Sequence, residues 1–308
     1  MKLLSRIGQF TSRILSLPTE LRKLNEANDE IKLLLGGIHA DRVRNKENYE
    51  NLGDLEFKVF SQFGDDGIIQ YLVSRLGFKN KTFVEFGVED YRESNTRFLL
   101  QHNGWTGFVM DSSPENIDSL KNSSFYWQHQ ITAQSVFVTA ENINQLLSSA
   151  TGDWPGIDIL HIDIDSTDYW IWKALTVNPG LVIMEYNANF GIDRALTVPY
   201  QPSFDRNAAH HSNLYWGASL KALHTLATDR DYRFIGCNSA GNNAYFVRSD
   251  LMNESVSEVS LEAGFVPSRY REARDEAGNL TFASYAERMK LIRGLPAYDV
   301  ETEQLSQI

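Results

Sequence analysis

From residue 57 onward, short apolar runs alternate with amphipathic stretches, the rhythm of strands joined by crossover helices in a mostly parallel sheet. Runs at 82–86, 106–110, 135–138, 157–164, 181–186, 232–237 and 244–248 predict seven strands. Between the last two lies Asn238-Ser239-Ala240-Gly241-Asn242-Asn243, whose Gly and Asn residues tolerate positive φ, so an antiparallel hairpin is expected to close the sheet. Ahead of this core, Leu3, Ile7, Phe10, Ile14 and Leu17 recur at helical spacing, and Pro18-Thr19 is expected to restart a second helix. The pattern therefore predicts an α/β chain in three parts. A helical appendage occupies 1–48, a Rossmann-like, mostly parallel seven-stranded sheet with a terminal antiparallel hairpin occupies 49–250, and a charged, mostly helical extension occupies 251–308.

Composition narrows the partners. Hydrophobic residues make up 42% of the chain and charged residues 22%, an ordinary globular balance that permits a sizeable core. A formal charge of -11 provides no basic field to gather a polyanion, so nucleic acid is not expected and a small molecule or neutral glycan fits better. The lone Cys237 can form neither an internal disulfide nor a cysteine zinc site, which with the missing secretory signal reads as cytoplasmic. Lys2, Arg6 and Arg13 lie among apolar residues with no acid before Glu20, so residues 1–17 are a candidate for peripheral contact with an anionic inner membrane face. Packing, or contact between copies in a homo-oligomer, is the favoured alternative.

Candidate chemistry gathers where strands end. Ligands of open α/β sheets bind beyond the carboxyl ends of the strands. The first strand ends in Val84-Glu85-Phe86-Gly87, where Gly87 permits close backbone approach and Glu85 offers a carboxylate to a cationic or hydroxylated cofactor. With one glycine, the G-x-G-x-x-G dinucleotide fingerprint is absent. The second strand ends in Asp111-Ser112-Ser113-Pro114, and an acid at this distance from the first turn suits ribose hydroxyls; the competing role for Asp111 is support of a helix start. In His161-Ile162-Asp163-Ile164-Asp165, alternation puts the histidine and both acids on one face, where burial without partners is costly. Asp163 and Asp165, joined by Glu185 and Asn187 from the next strand end, form a candidate oxygen-ligand set for Mg or Mn. Such a metal would lower the pKa of a substrate hydroxyl. His210 and His211, after a polar connection at 197–207, are candidates for the general base, beside Asp165.

Taken together, these motifs resemble the FkbM-type branch of S-adenosylmethionine-dependent methyltransferases. The resemblance runs through Ser61-Gln62-Phe63-Gly64-Asp65-Asp66-Gly67, 83–87, 104–116, 159–172, 185–187 and the hairpin at 236–247. It implies a seven-stranded sheet, S-adenosylmethionine held near Glu85, Gly87 and Asp111 with Gln62, Ser112 and Asp163 beside them, and methyl transfer to an oxygen, often of a sugar or natural product, as in polysaccharide biosynthesis. A competing reading takes Asp163-Ile164-Asp165 as the D-x-D of a metal-dependent glycosyltransferase. A third takes the chain as a non-catalytic assembly protein.

Overall fold

The computed structural model describes the backbone of residues 2–308, with side chains described at position 17 and from position 19 onward. Side chains 1–16, on which the expected membrane contact rests, lie outside the described residues. Helix α1 (Lys2–Arg44) runs without the restart expected at Pro18. One proline removes one backbone hydrogen bond, and the helix-favouring Leu, Lys, Arg, Glu and Ala residues that follow carry the helix on.

The core elements follow in order: α2 (Asp65–Arg75), β1 (Thr82–Phe86), α3 (Arg97–Asn103), β2 (Thr106–Asp111), α4 (Pro114–Lys121), β3 (Ile131–Ser135), α5 (Ile143–Thr151), β4 (Ile159–Ile162), α6 (Asp168–Ala174) and β5 (Leu181–Glu185). After them come β6 (Leu196–Thr197), α7 (Arg206–Ala209), α8 (Leu220–Asp229), β7 (Tyr232–Cys237) and β8 (Asn243–Arg248). The main sheet has the order β3-β2-β1-β4-β5-β8-β7. Strands β1 to β5 are parallel, and β8 is antiparallel to both neighbours. The Rossmann-like seven-stranded sheet and its closing hairpin are thus present as expected.

Alternation along the buried strands sends side chains to two helical layers. Val84, Phe86, Leu160, Ile162, Val182 and Met184 pack with Leu147 of α5, Trp172 of α6 and Leu223 of α8. Phe83, Val109, Ile159, Leu181 and Ile183 pack with Leu72 of α2, Leu99 of α3 and Leu120 of α4. With both faces covered, β5 reads as an apolar run up to Glu185, and in β1 and β4 only Glu85 and His161 interrupt the apolar residues after Thr82.

Two boundaries differ from the sequence reading in ways that shape the site. Strand β3 lies at 131–135 rather than 135–138, because this edge strand alternates buried and exposed residues, while the apolar Val136-Phe137-Val138 leaves the sheet to line a cavity. Strand β4 stops at Ile162, not 164, so Asp163 and Asp165 belong to the loop beyond it, with Asp165 in the left-handed region at φ 53°.

The tail is not mostly helical. It holds α9 (Leu261–Gly264), α10 (Tyr285–Leu291), β9 (Pro296–Asp299) and β10 (Gln304–Gln307), and the two strands join β6 in a sheet of order β10-β9-β6. A separate cluster containing Phe190, Val198, Trp216, Ala273 and Ile292 binds this tail to the connection between β5 and α8. Among the described residues, no helix is long and apolar enough to cross a membrane.

Candidate active site

A cavity of about 1210 Å³ opens beyond the carboxyl ends of β1, β2, β4 and β5. Glu85, Gly87, Asp111, Ser112, Gln62, Asp163, Asp165 and Glu185 all line it. The strand ends therefore bring together most of the residues singled out from sequence.

The wall at β1 is fixed by a buried polar network. The Glu85 carboxylate accepts from Ser94 Oγ at 2.6 Å, Asn95 N at 3.0 Å, Thr96 N at 3.2 Å and the Thr96 hydroxyl, and pairs with His161 Nδ1 at 2.9 Å. Burial pushes its pKa up, but the His161 contact and the hydroxyl donors outweigh burial and hold it below the usual carboxylate range. For His161, burial lowers the pKa and the Glu85 hydrogen bond and charge more than reverse this. If Nδ1–H donates to Glu85, Nε2 is left to accept from the Asn95 amide at 3.2 Å. Glu85 thus orders residues 94–96 around the cavity, its oxygens already occupied.

Gly87 answers a steric demand. Its φ is 74°, and a Cβ there would stand 1.6 Å from the Asp163 carbonyl oxygen. The loops after β1 and β4 can touch only because this side chain is absent. Asp111 ties the loops after β1 and β2 together: Oδ2 accepts from Glu89 N at 2.8 Å, and Oδ1 accepts from Ser113 N at 2.8 Å and from the Asn116 amide at 3.3 Å. Ser113, not Ser112, caps α4. Helix support is therefore one duty of Asp111, and Oδ2 retains a lone pair for a hydroxyl donor.

The 61–67 motif acts by holding Gln62 and Phe63 at the rim. Asp66 accepts from the backbone N–H of Val59, Phe60 and Ser61, each at 2.8 Å, and burial pushes its pKa up to about 6. Asp65 anchors the same segment to the hairpin through Asn238, Asn243 and the Tyr245 hydroxyl. A Cβ at Gly67 would stand 2.0 Å from the Leu55 carbonyl oxygen.

Beside this wall, beyond the ends of β4 and β5, Asp163, Asp165 and Glu185 bring one carboxylate oxygen each to within 4.8 Å of one another. Burial, then the neighbouring charge of Asp165, pushes Asp163 up to about 7. Burial and both aspartates push Glu185 well above its usual range. Glu185 Oε2 is buried without a hydrogen-bond partner. An all-oxygen donor set whose members repel each other and include an unpartnered oxygen matches a hard divalent cation. Arg206 closes one side, bonded to Asp165, to Glu272 Oε2 at 2.9 Å and to the Asn213 carbonyl at 3.2 Å, with its guanidinium 5.2 Å from the centre of the Trp216 ring.

Three expected site residues are placed otherwise. Asn187 donates to the Leu214 and Trp216 carbonyls at 2.8 and 2.9 Å and accepts from the Asn189 backbone at 3.1 Å, so its amide holds the 214–216 loop and is not free for a metal. His210 bonds Ser212 Oγ at 2.8 Å, and its ring lies 4.2 Å from that of His211 at a tilt of 39°; neither lines the cavity, because α7 turns Arg206 inward and leaves the pair at its far end. Conversely, Arg206, Tyr270 and Glu272 line the cavity without having been singled out. The last two come from the tail and are brought near by long-range contacts, Tyr270 stacked on Phe63 and Glu272 bonded to Arg206.

No protein-family model matches the chain, and no curated protein does. Among solved structures, an O-methyltransferase from Bacillus cereus in complex with SAH is 13% identical, covering 72% of this chain and 90% of that one, at a TM-score of 0.40. An S-adenosylmethionine-dependent methyltransferase from Clostridium acetobutylicum is 12% identical, covering 59% and 88%, at 0.36. Fibrillarin from Aeropyrum pernix with natively bound S-adenosyl-L-methionine is 10% identical, covering 55% and 67%, at 0.37.

Proposed function

We propose that this chain is an S-adenosylmethionine-dependent O-methyltransferase of the FkbM type that acts on a hydroxyl of a small molecule or sugar, assisted by Mg or Mn. The observation that carries this reading is one cavity with two unlike, adjoining parts: the Gly87 and Asp111 loops beyond β1 and β2, and the carboxylates of Asp163, Asp165 and Glu185 beyond β4 and β5. The first part has the position and donor chemistry for a nucleoside, with the free Asp111 Oδ2 lone pair facing ribose hydroxyls and Gln62 and Ser112 at the rim. When bound, S-adenosylmethionine supplies an electrophilic methyl group on a cationic sulfur. A lining that includes Glu89, Asp111, Asp163 and Asp165 favours that positive charge and disfavours an unaccompanied diphosphate.

Asp163, Asp165 and Glu185 would hold the divalent ion, which supplies Lewis acidity to an oxygen ligand. Asp165, whose side chain is 46% exposed, is the carboxylate best placed to take the acceptor's proton, and Arg206 fixes its orientation. His161 and Glu85 keep the 94–96 loop in place and thereby shape the pocket. The test is incubation of the purified chain with methyl-labelled S-adenosylmethionine, Mn and a panel of free and nucleotide-linked sugars. Label is expected in an acceptor oxygen, and is expected to be lost in Asp165→Ala. Sugar transfer from a UDP-sugar without any methyl transfer would overturn the reading in favour of the glycosyltransferase.

A further inference from the structure

Helix α1 has two long faces, and the folded body accounts for only one. Towards the body point Leu33, Gly36, Ala40 and Val43, where a Cβ at Gly36 would stand only 2.6 Å from Val59, and Asp29 accepts from Arg97 at 2.7 Å. On the opposite side Leu17, Leu21, Leu24, Ile31, Leu35 and Ile38 are each more than half exposed. Their spacing alternates four and three residues, with Asn28 filling the one remaining place between Leu24 and Ile31. In the sequence the same register runs back through Ile14, Phe10, Ile7 and Leu3.

A stripe that repeats every 3.5 residues on a helix of 3.6 per turn stays on one line only when two helices supercoil about each other. We infer that α1 pairs with α1 of a second copy in a parallel, two-stranded, left-handed coiled coil. Asn28 falls at the position equivalent to Leu21 and Leu35, the a site of the heptad, where a single asparagine fixes two strands in parallel register. The body docks on the positions facing away from the seam, so two bodies fit outside one coil without collision. The six described apolar seam side chains, at roughly 60–120 Å² apiece, give each chain on the order of 500 Å², and about 1,000 Å² over the pair reaches the range of a specific interface. The described part of the helix carries Glu20, Glu26, Asp29, Glu30 and Asp41 against Arg22, Lys23, Lys32, Arg42 and Arg44. With no surplus of positive charge there, that stretch has nothing to bind an anionic membrane, and a second copy is the occupant that matches both spacing and charge.

Light scattering on the full chain after size exclusion, at micromolar concentration, is expected to give twice the 35.1 kDa chain mass. Leu24→Glu combined with Ile31→Glu is expected to give the single-chain mass while the main thermal transition of the body persists. Because Cys237 is buried, Asn28→Cys adds one accessible thiol, which is expected to form a disulfide-linked dimer under mild oxidation while the outward-facing Lys23→Cys does not. A wild-type chain that is monomeric, that has a mass other than twice 35.1 kDa, or that floats as a monomer with phosphatidylglycerol vesicles would overturn the inference, as would failure of Asn28→Cys to cross-link.

Discussion

Replacing Asp163 by Asn is expected to stabilise the metal-free protein at alkaline pH while abolishing its response to divalent cations. Burial and the charge of Asp165 push the Asp163 pKa from 3.8 to about 7. The folded state therefore binds this proton more tightly than the unfolded chain. The resulting stability is fully present below pH 3.8 and is lost as pH rises through about 7. At about 1.4 kcal/mol per pH unit, the penalty of the charged form is on the order of 1–2 kcal/mol at pH 5 and about 4 kcal/mol at pH 8. The amide of Asp163→Asn carries no such penalty, so the advantage of the variant should grow by about 2–3 kcal/mol between pH 5 and pH 8, roughly 5 °C in Tm for a chain of this size. Differential scanning calorimetry in EDTA at the two pH values reads this directly. In the presence of Mn at a hundred times its Kd, the wild type should gain about 2.7 kcal/mol and the variant little. A gap between variant and wild type that is equal at both pH values, or a variant that responds to Mn as the wild type does, would refute the mutual burial and repulsion of these carboxylates.

Gly87→Ala should cost more than about 3 kcal/mol in urea unfolding, whereas Gly104→Ala, with similar φ but nothing within 4 Å of its Cβ, should cost about 1–2 kcal/mol; equal costs would remove the steric argument. Glu85→Gln leaves His161 and the 94–96 loop facing an amide, and should lower stability by about 3 kcal/mol at neutral pH, measured by the same unfolding curves. His210→Ala and His211→Ala should keep initial rates of S-adenosylhomocysteine formation within about twofold of wild type, whereas Arg206→Ala, which releases Asp165, should lose on the order of tenfold.

Much of this architecture is legible in the chain because the buried parallel strands are mostly apolar, broken chiefly by Glu85 and His161, and the hairpin carries its turn residues openly. Strand β3 is harder to place: its alternating pattern is that of an edge, and the stronger apolar run beside it, 136–138, serves the cavity. Acids at the ends of β1, β2, β4 and β5 announce a site because carboxylates at such positions need partners. What the pattern does not announce is which partner each one has. Glu85 and Asn187 look like free ligands in sequence, yet their donors and acceptors lie on loops 94–96 and 214–216. Tyr270 and Glu272 reach the cavity by long-range contacts, Tyr270 stacked on Phe63 and Glu272 bonded to Arg206, a relation with no local periodicity. His210 and His211 draw attention by residue type alone, and the direction of α7 is decided by Arg206.

In the proposed function, the pocket between the Gly87 and Asp111 loops receives the nucleoside of a methyl donor. Isothermal titration of the full chain with S-adenosylhomocysteine tests it most directly. One binding site per chain with micromolar affinity is expected, weakened at least about tenfold by Asp111→Ala. An absence of heat at millimolar S-adenosylhomocysteine, with a UDP-sugar binding in its place when Mn is added, would contradict it.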